Sequence, residues 1–255
     1  MHDSPVVIKV QSGQKHRKGL AMTIETSQIE SQTINSLLYT LADKGFVTIV
    51  GADEEETVET TLHYKLVNYL LNALKQFLIT QTDCFVAANL RLSYDAESPL
   101  KWYAPDVLVA FGVGNHERSS YHLPTEKTMP QVIFEVASEK TASKDVGDKY
   151  LDYERLGVEE YYILDPERKH LSKPLIAYHR DEDQLLRVKI HDNRVFSPRL
   201  GLEIIENGTE FRLFARGTNE FLLSPEELAE EAAKVQQMQK RIVELESMLN
   251  KSSVK

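Results

Sequence analysis

Apolar positions change their period several times along the chain, and each change marks an element. From residue 58 to 79, Leu62, Leu66, Tyr69, Leu70, Ala73, Leu74 and Phe77 recur at intervals of three and four. That is the period of a helix lying on a core, and its first turns set Glu59 and His63 four apart on one face. After Asp83 the texture shifts. Residues 85–94, 102–111 and 131–138 are apolar, β-branched runs of strand length bounded by Pro, Gly, Ser and Asp. Two of them hold a single acid inside an apolar stretch, the pattern of strands covered on both faces. A helix over 143–156 closed by Gly157 and a strand over 161–164 ended by Asp165-Pro166 come next. Strand, helix, strand predicts a right-handed crossover in an α/β sheet. Residues 175–214 return to short alternating strands, such as 185–190 and 211–214, read as a meander on the sheet.

The two ends read differently. Residues 1–32 carry few apolar positions and are expected to form a mobile arm, followed by a short amphipathic helix over 33–42 stopped before Gly45. The acidic run from Asp53 to Glu56 is a solvated approach to the next helix, where negative charge complements the N-terminal dipole. Ser224, Pro225 and Glu227 spell a capping box with proline at the first helical position. Leu228, Ala232, Val235, Met238, Ile242, Leu245 and Leu249 then form a heptad seam with one stammer. A helix of this length is marginal alone in water, so it pairs with a copy of itself, docks on the body or frays, and a homodimer through it is expected. The organisation that follows is an arm (1–32), a domain (33–217) and a C-terminal coiled-coil helix (224–251).

Composition narrows the class. With 255 residues, 42% of them hydrophobic, the chain can bury a full core as one domain with appendages. A single cysteine, Cys84, forms no internal disulfide and has no zinc-ligand companions, which fits a reducing, cytoplasmic compartment. The first 20 residues lack the apolar stretch of a signal peptide, and no window approaches the ~18 apolar residues of a membrane helix. The net charge of −9 argues against coating nucleic acid by overall charge, while leaving open a local basic cleft.

The candidate chemistry lies in the two strand acids, Asp106 and Glu135. A carboxylate inside an apolar strand is unfavourable unless compensated. Two carboxylates and a backbone carbonyl are hard oxygen ligands suited to a divalent cation. The alternative is that each acid sits at a strand end, exposed or paired with an arginine. On the following helix Asp145 and Lys149 lie four apart, with Asp152 and Tyr153 one turn on. Lys149 could hold an attacking water or offset charge developing on phosphorus. Equally, it could form an exposed helical pair with Asp145, worth tenths of a kcal/mol.

Together, Ala104-Pro105-Asp106-Val107-Leu108-Val109, Val132-Ile133-Phe134-Glu135-Val136-Ala137-Ser138, Asp145, Lys149 and the segment from Gly157 to Pro166 resemble the Uma-type restriction endonuclease family of the PD-(D/E)XK nuclease superfamily. His63, the strand around Leu90-Arg91-Leu92 and the C-terminal coil extend the likeness. The resemblance implies a restriction-endonuclease-like core, a central mixed sheet flanked by helices, and Mg²⁺-dependent hydrolysis of DNA, with Mn²⁺ as substitute. It assigns the metal to Asp106, Glu135 and the carbonyl of Val136, and the basic role to Lys149, because the family's usual lysine position falls on Ala137. Glu59, His63 and Asp145 become outer-shell candidates. A rival expectation is an inactive nuclease-fold scaffold that recruits a partner through its coil, favoured by Ala137 and by the acidic balance.

Overall fold

A computed structural model describes the strands Val7–Val10, Leu20–Thr23 and Val47–Val50 and residues 60–95, 101–208 and 210–252, with side chains as far as Leu245 in the last helix. The first three strands, β1 to β3, form an antiparallel sheet with β1 in the middle. β1 and β2 fall within the stretch expected as a mobile arm, whereas the helix expected over 33–42 and Glu59 lie outside the described residues.

Helix α1 (Thr61–Phe77) starts at Thr60, whose hydroxyl accepts from the His63 N–H, and buries Leu66, Leu70, Ala73 and Leu74 on the face that the spacing marked. Each such leucine contributes roughly 1.5–3 kcal/mol on leaving water. The run over 85–94 divides into β4 (Cys84–Ala88) and β5 (Leu92–Ser93), and the run over 102–111 into β6 (Trp102–Tyr103) and β7 (Val107–Phe111). Both breaks have one cause. Pro105 has no N–H to give to a ladder, and opposite it Asn89 turns into the left-handed region (φ 50°), its N–H donating to the Pro105 carbonyl at 3.0 Å. After β8 (Tyr121–His122) and the single turn α2 (Leu123–Glu126) comes β9 (Val132–Val136).

The helix expected over 143–156 is two helices, α3 (Ala142–Val146) and α4 (Asp148–Leu156), divided at Gly147. A side chain there would bring a Cβ to 2.9 Å from the Ser143 carbonyl oxygen, so the turn requires glycine. Strand β10 (Glu160–Leu164) then pairs parallel with β9, completing the crossover. β11 (Leu175–Asp181) and β12 (Gln184–Arg187) extend it, giving a six-stranded mixed sheet in the order β12-β11-β10-β9-β7-β4. Residues of β7, β9 and β10 alternate between two apolar clusters. Val107, Phe134 and Tyr162 face α1 and a second sheet, of β13 (Arg194–Ser197), β14 (Leu202–Glu206), β15 (Phe211–Ala215) and β16 (Glu220–Phe221). Leu108, Ile133 and Tyr161 face the other way, toward Ala142 and Tyr153 of α3 and α4. This is the α/β architecture expected, with a mixed central sheet flanked by helices.

The last helix, α5 (Pro225–Ser252), opens with the expected capping box: the Ser224 N–H donates to Glu227 Oε2 at 2.7 Å and the Glu227 N–H to Ser224 Oγ at 3.2 Å. Arg212 grips Glu227 through two bonds of 3.0 and 2.9 Å, and the Tyr69 hydroxyl of α1 donates to the Leu222 carbonyl. Beyond this root every residue from 229 to 245 is exposed, so docking of the seam on the body is excluded for that stretch.

Candidate active site

Register brings the two strand acids together. β7 pairs antiparallel with β9, with Val107 opposite Phe134, so the next pair outward is Asp106 and Glu135. Directly opposed residues project to the same face with Cβ atoms about 5 Å apart. Both lie on the face covered by α3 and α4, at the end of the sheet where β6 and β5 turn away, and both are buried, at 8% and 1% exposure. Asp106 Oδ2 accepts from the Val136 N–H at 2.7 Å, and Oδ1 lies 3.0 Å from His63 Nε2 of α1.

The helices close the site from above. Lys149 Nζ lies 3.0 Å from Glu135 Oε2 and 2.8 Å from Asp145 Oδ1, while the Tyr153 hydroxyl, one turn further along α4, donates to Glu135 Oε1 at 2.8 Å. Asp145 is itself fully buried, and the Tyr161 hydroxyl pins its carbonyl at 2.9 Å. Two buried carboxylates therefore hold one ammonium, and a third, Asp106, lies across the strand pair from Glu135 with a histidine beside it. Burial, reinforced by the charges of Asp145 and Asp106, pushes the Glu135 carboxyl up to about 8. Burial also raises the Asp145 carboxyl. For Lys149, burial acts downward, but the Glu135 and Asp145 carboxylates outweigh it and hold the ammonium charged. Negative charge in excess of its compensation, on hard oxygen donors, fits a divalent cation.

The sequence model of the family described as "Putative restriction endonuclease", Uma2, matches residues 51–207, more than half of the chain. The chain belongs to the Uma2 family. Among solved structures, it is similar to a crystal structure described as a "putative nuclease belonging to DUF820" from Anabaena variabilis, with 12% identity, 62% of this chain and 80% of that one covered, and a TM-score of 0.43. No curated protein matches it.

In this Uma2 chain, Asp106, Glu135, Lys149, Asp145 and His63 share one buried cluster, with Val136 bonded to it through its N–H. The reading of Asp145 and Lys149 as an exposed helical pair is overturned, because the break at Gly147 folds both inward onto the sheet. Ala137 is buried in the apolar cluster that includes Tyr153 and Ala142. Lying two residues after Glu135, its small side chain leaves room for α3 and α4, whose Lys149 sets its ammonium beside Glu135. Tyr153 had no assigned role in the sequence, although its spacing of four from Lys149 marked it as sharing that face. Arg118, in the loop after β7, is committed to Glu126 at 2.7 Å and to the carbonyls of Gly114 and His116. Among the described residues no three His, Cys, Asp or Glu side chains gather into a ligand set, and no helix is long and apolar enough to cross a membrane.

Proposed function

We propose that this Uma2 protein is a cytoplasmic, metal-dependent endonuclease that hydrolyses DNA phosphodiester bonds as a homodimer joined through α5. The observation that carries the reading is the meeting of Asp106, Glu135 and Lys149 at one end of the sheet. Asp106, Glu135 and the Val136 carbonyl would hold Mg²⁺, or Mn²⁺ in its place, and water would complete the shell. When bound, the ion neutralises a nonbridging phosphate oxygen and lowers the pKa of the attacking water.

The chain's own groups divide the remaining work. Lys149 places a fixed positive charge beside Glu135, where it orients the water and offsets charge gathering on phosphorus. Tyr153 and the Val136 N–H each fix one carboxylate oxygen, so the acids are set before substrate arrives. His63 holds the other oxygen of Asp106 and lies within reach to take or return a proton. Asp145 keeps Lys149 aimed at the site rather than at solvent.

Nicking of supercoiled plasmid tests the reading. Cleavage should require Mg²⁺ or Mn²⁺, stop with a chelator and be lost in Asp106→Ala and Glu135→Ala. Unchanged nicking by either variant contradicts it. A second reading, an inactive scaffold of nuclease fold, draws on one observation: all four oxygens of Asp106 and Glu135 already have protein partners. Titration calorimetry with Mn²⁺ separates the two, since a scaffold with an intact fold binds no ion there.

A further inference from the structure

Helix α5 leaves the body as a rooted but unpartnered rod. Its first turn is fixed by the capping box and the Arg212–Glu227 grip. Past that root, Val235, Met238, Ile242 and Leu245 are 52%, 64%, 54% and 45% exposed along one seam. At 1.5 Å per residue, the 23 residues from 230 to 252 reach about 35 Å from the root. A helix of that length with an apolar stripe in water is marginal without a partner.

Residue types along the seam select the occupant. After the stammer at Ala232, a count starting with Val235 at position a places Val235, Ile242 and Leu249 at a and Met238 and Leu245 at d. β-Branched Val235 and Ile242 at two of the three a positions, with leucine at one of the two d positions, lean toward two parallel strands. The flanking charges agree. Position g holds Lys234, Arg241 and Met248, and position e holds Gln239 and Glu246. In a parallel pair g faces e of the next heptad on the partner, so Arg241 meets Glu246 of the second copy, twice by symmetry. An antiparallel pair sets g against g, which brings Arg241 against its own counterpart. The bond from Arg241 to Glu244 within the helix, 3.1 Å between exposed groups, is weak enough to exchange.

We infer that two copies of this chain join their α5 helices as a parallel, in-register two-stranded coiled coil over residues 235–249, a refinement that rests on the homodimer proposed above. Because α5 is rooted on α1, the helix that carries His63, a parallel coil sets both nuclease bodies at the same end of the rod. That arrangement suits one duplex presented to two sites.

The test uses the full chain. Light scattering should give twice the mass of one chain, and Ile242→Glu should return it to a single mass with unchanged circular dichroism of the body, since residue 242 is exposed on the rod. Under mild oxidation Val235→Cys should form a covalent dimer, and the unsubstituted chain, whose Cys84 is buried at 3% exposure, should not. A single-chain mass for the unsubstituted protein, or a double mass retained by Ile242→Glu, overturns the coil. A non-covalent dimer of Val235→Cys that fails to cross-link overturns the parallel arrangement alone and leaves the dimer standing.

Discussion

Two buried glutamates on neighbouring strands differ in what surrounds them. Glu160 opens β10 and is 4% exposed. Its oxygens accept from the Tyr162 and Ser197 hydroxyls and the Arg199 N–H, all neutral donors, and tie β10 to the second sheet. Glu135, on the adjoining β9, also accepts from a tyrosine, but it shares its surroundings with Asp106, Asp145 and Lys149. The same side chain at similar burial is satisfied by dipoles in one place and crowded by like charge in the other. Satisfaction by neutral donors closes a site; in the proposed function a cation would offset the crowding at the other.

The contrast is broken most severely by exchanging the two acids' fates. Glu135→Ala should reduce metal-dependent nicking on the order of a thousandfold. Glu160→Gln should leave nicking unchanged while lowering stability by about 1–3 kcal/mol, because a buried acceptor is replaced by a misfit donor. Plasmid nicking and denaturant melts of both variants check the pair, and a nicking defect in Glu160→Gln would erase the distinction. Next in size, Lys149→Met should slow nicking about a hundredfold with ion binding retained in calorimetry. Retained nicking in this variant removes the lysine from the mechanism.

A subtler prediction concerns acidity. The Glu135 carboxyl titrates at about 8 in the folded, metal-free chain against an ordinary value of 4.5. Between those values the unfolded chain gives up its proton while the folded one keeps it, so stability present at low pH is lost as pH rises through this window. The raised Asp145 carboxyl adds to the same slope. In chelator, Tm should fall from about pH 5 to about pH 8, with a shallower fall in Glu135→Gln; equal slopes for the two proteins contradict a carboxyl raised by burial and its acidic neighbours. The smallest effect belongs to Tyr153→Phe, which removes one neutral hydrogen bond worth about 1 kcal/mol and should cost nicking about fivefold through kcat rather than KM.

How much of this was legible in the sequence depended on the range of the interaction. The period of α1 and the capping box of α5 are local, and they read directly from spacing. The single acids within apolar strands flagged Asp106 and Glu135, yet their meeting depends on the β7–β9 register, which no local pattern encodes. The strand break at Pro105 is readable from the proline itself, but the matching break at Asn89 follows from its pairing with Pro105 across the sheet, which no local pattern encodes. Gly147 hid the most, since the spacing of Asp145 and Lys149 is the same on a continuous exposed helix as across a break that folds both inward. Ala137 was visible as a missing lysine; that its smallness admits the helix bearing Lys149 is a packing fact available only in three dimensions.

The central claim is that Asp106 and Glu135 hold one cation beside Lys149, and anomalous scattering from crystals soaked in Mn²⁺ tests it without reference to activity. The account predicts one strong peak in contact with both carboxylates. Density at Glu160, or none within ligand distance of Asp106 and Glu135 together, would contradict it.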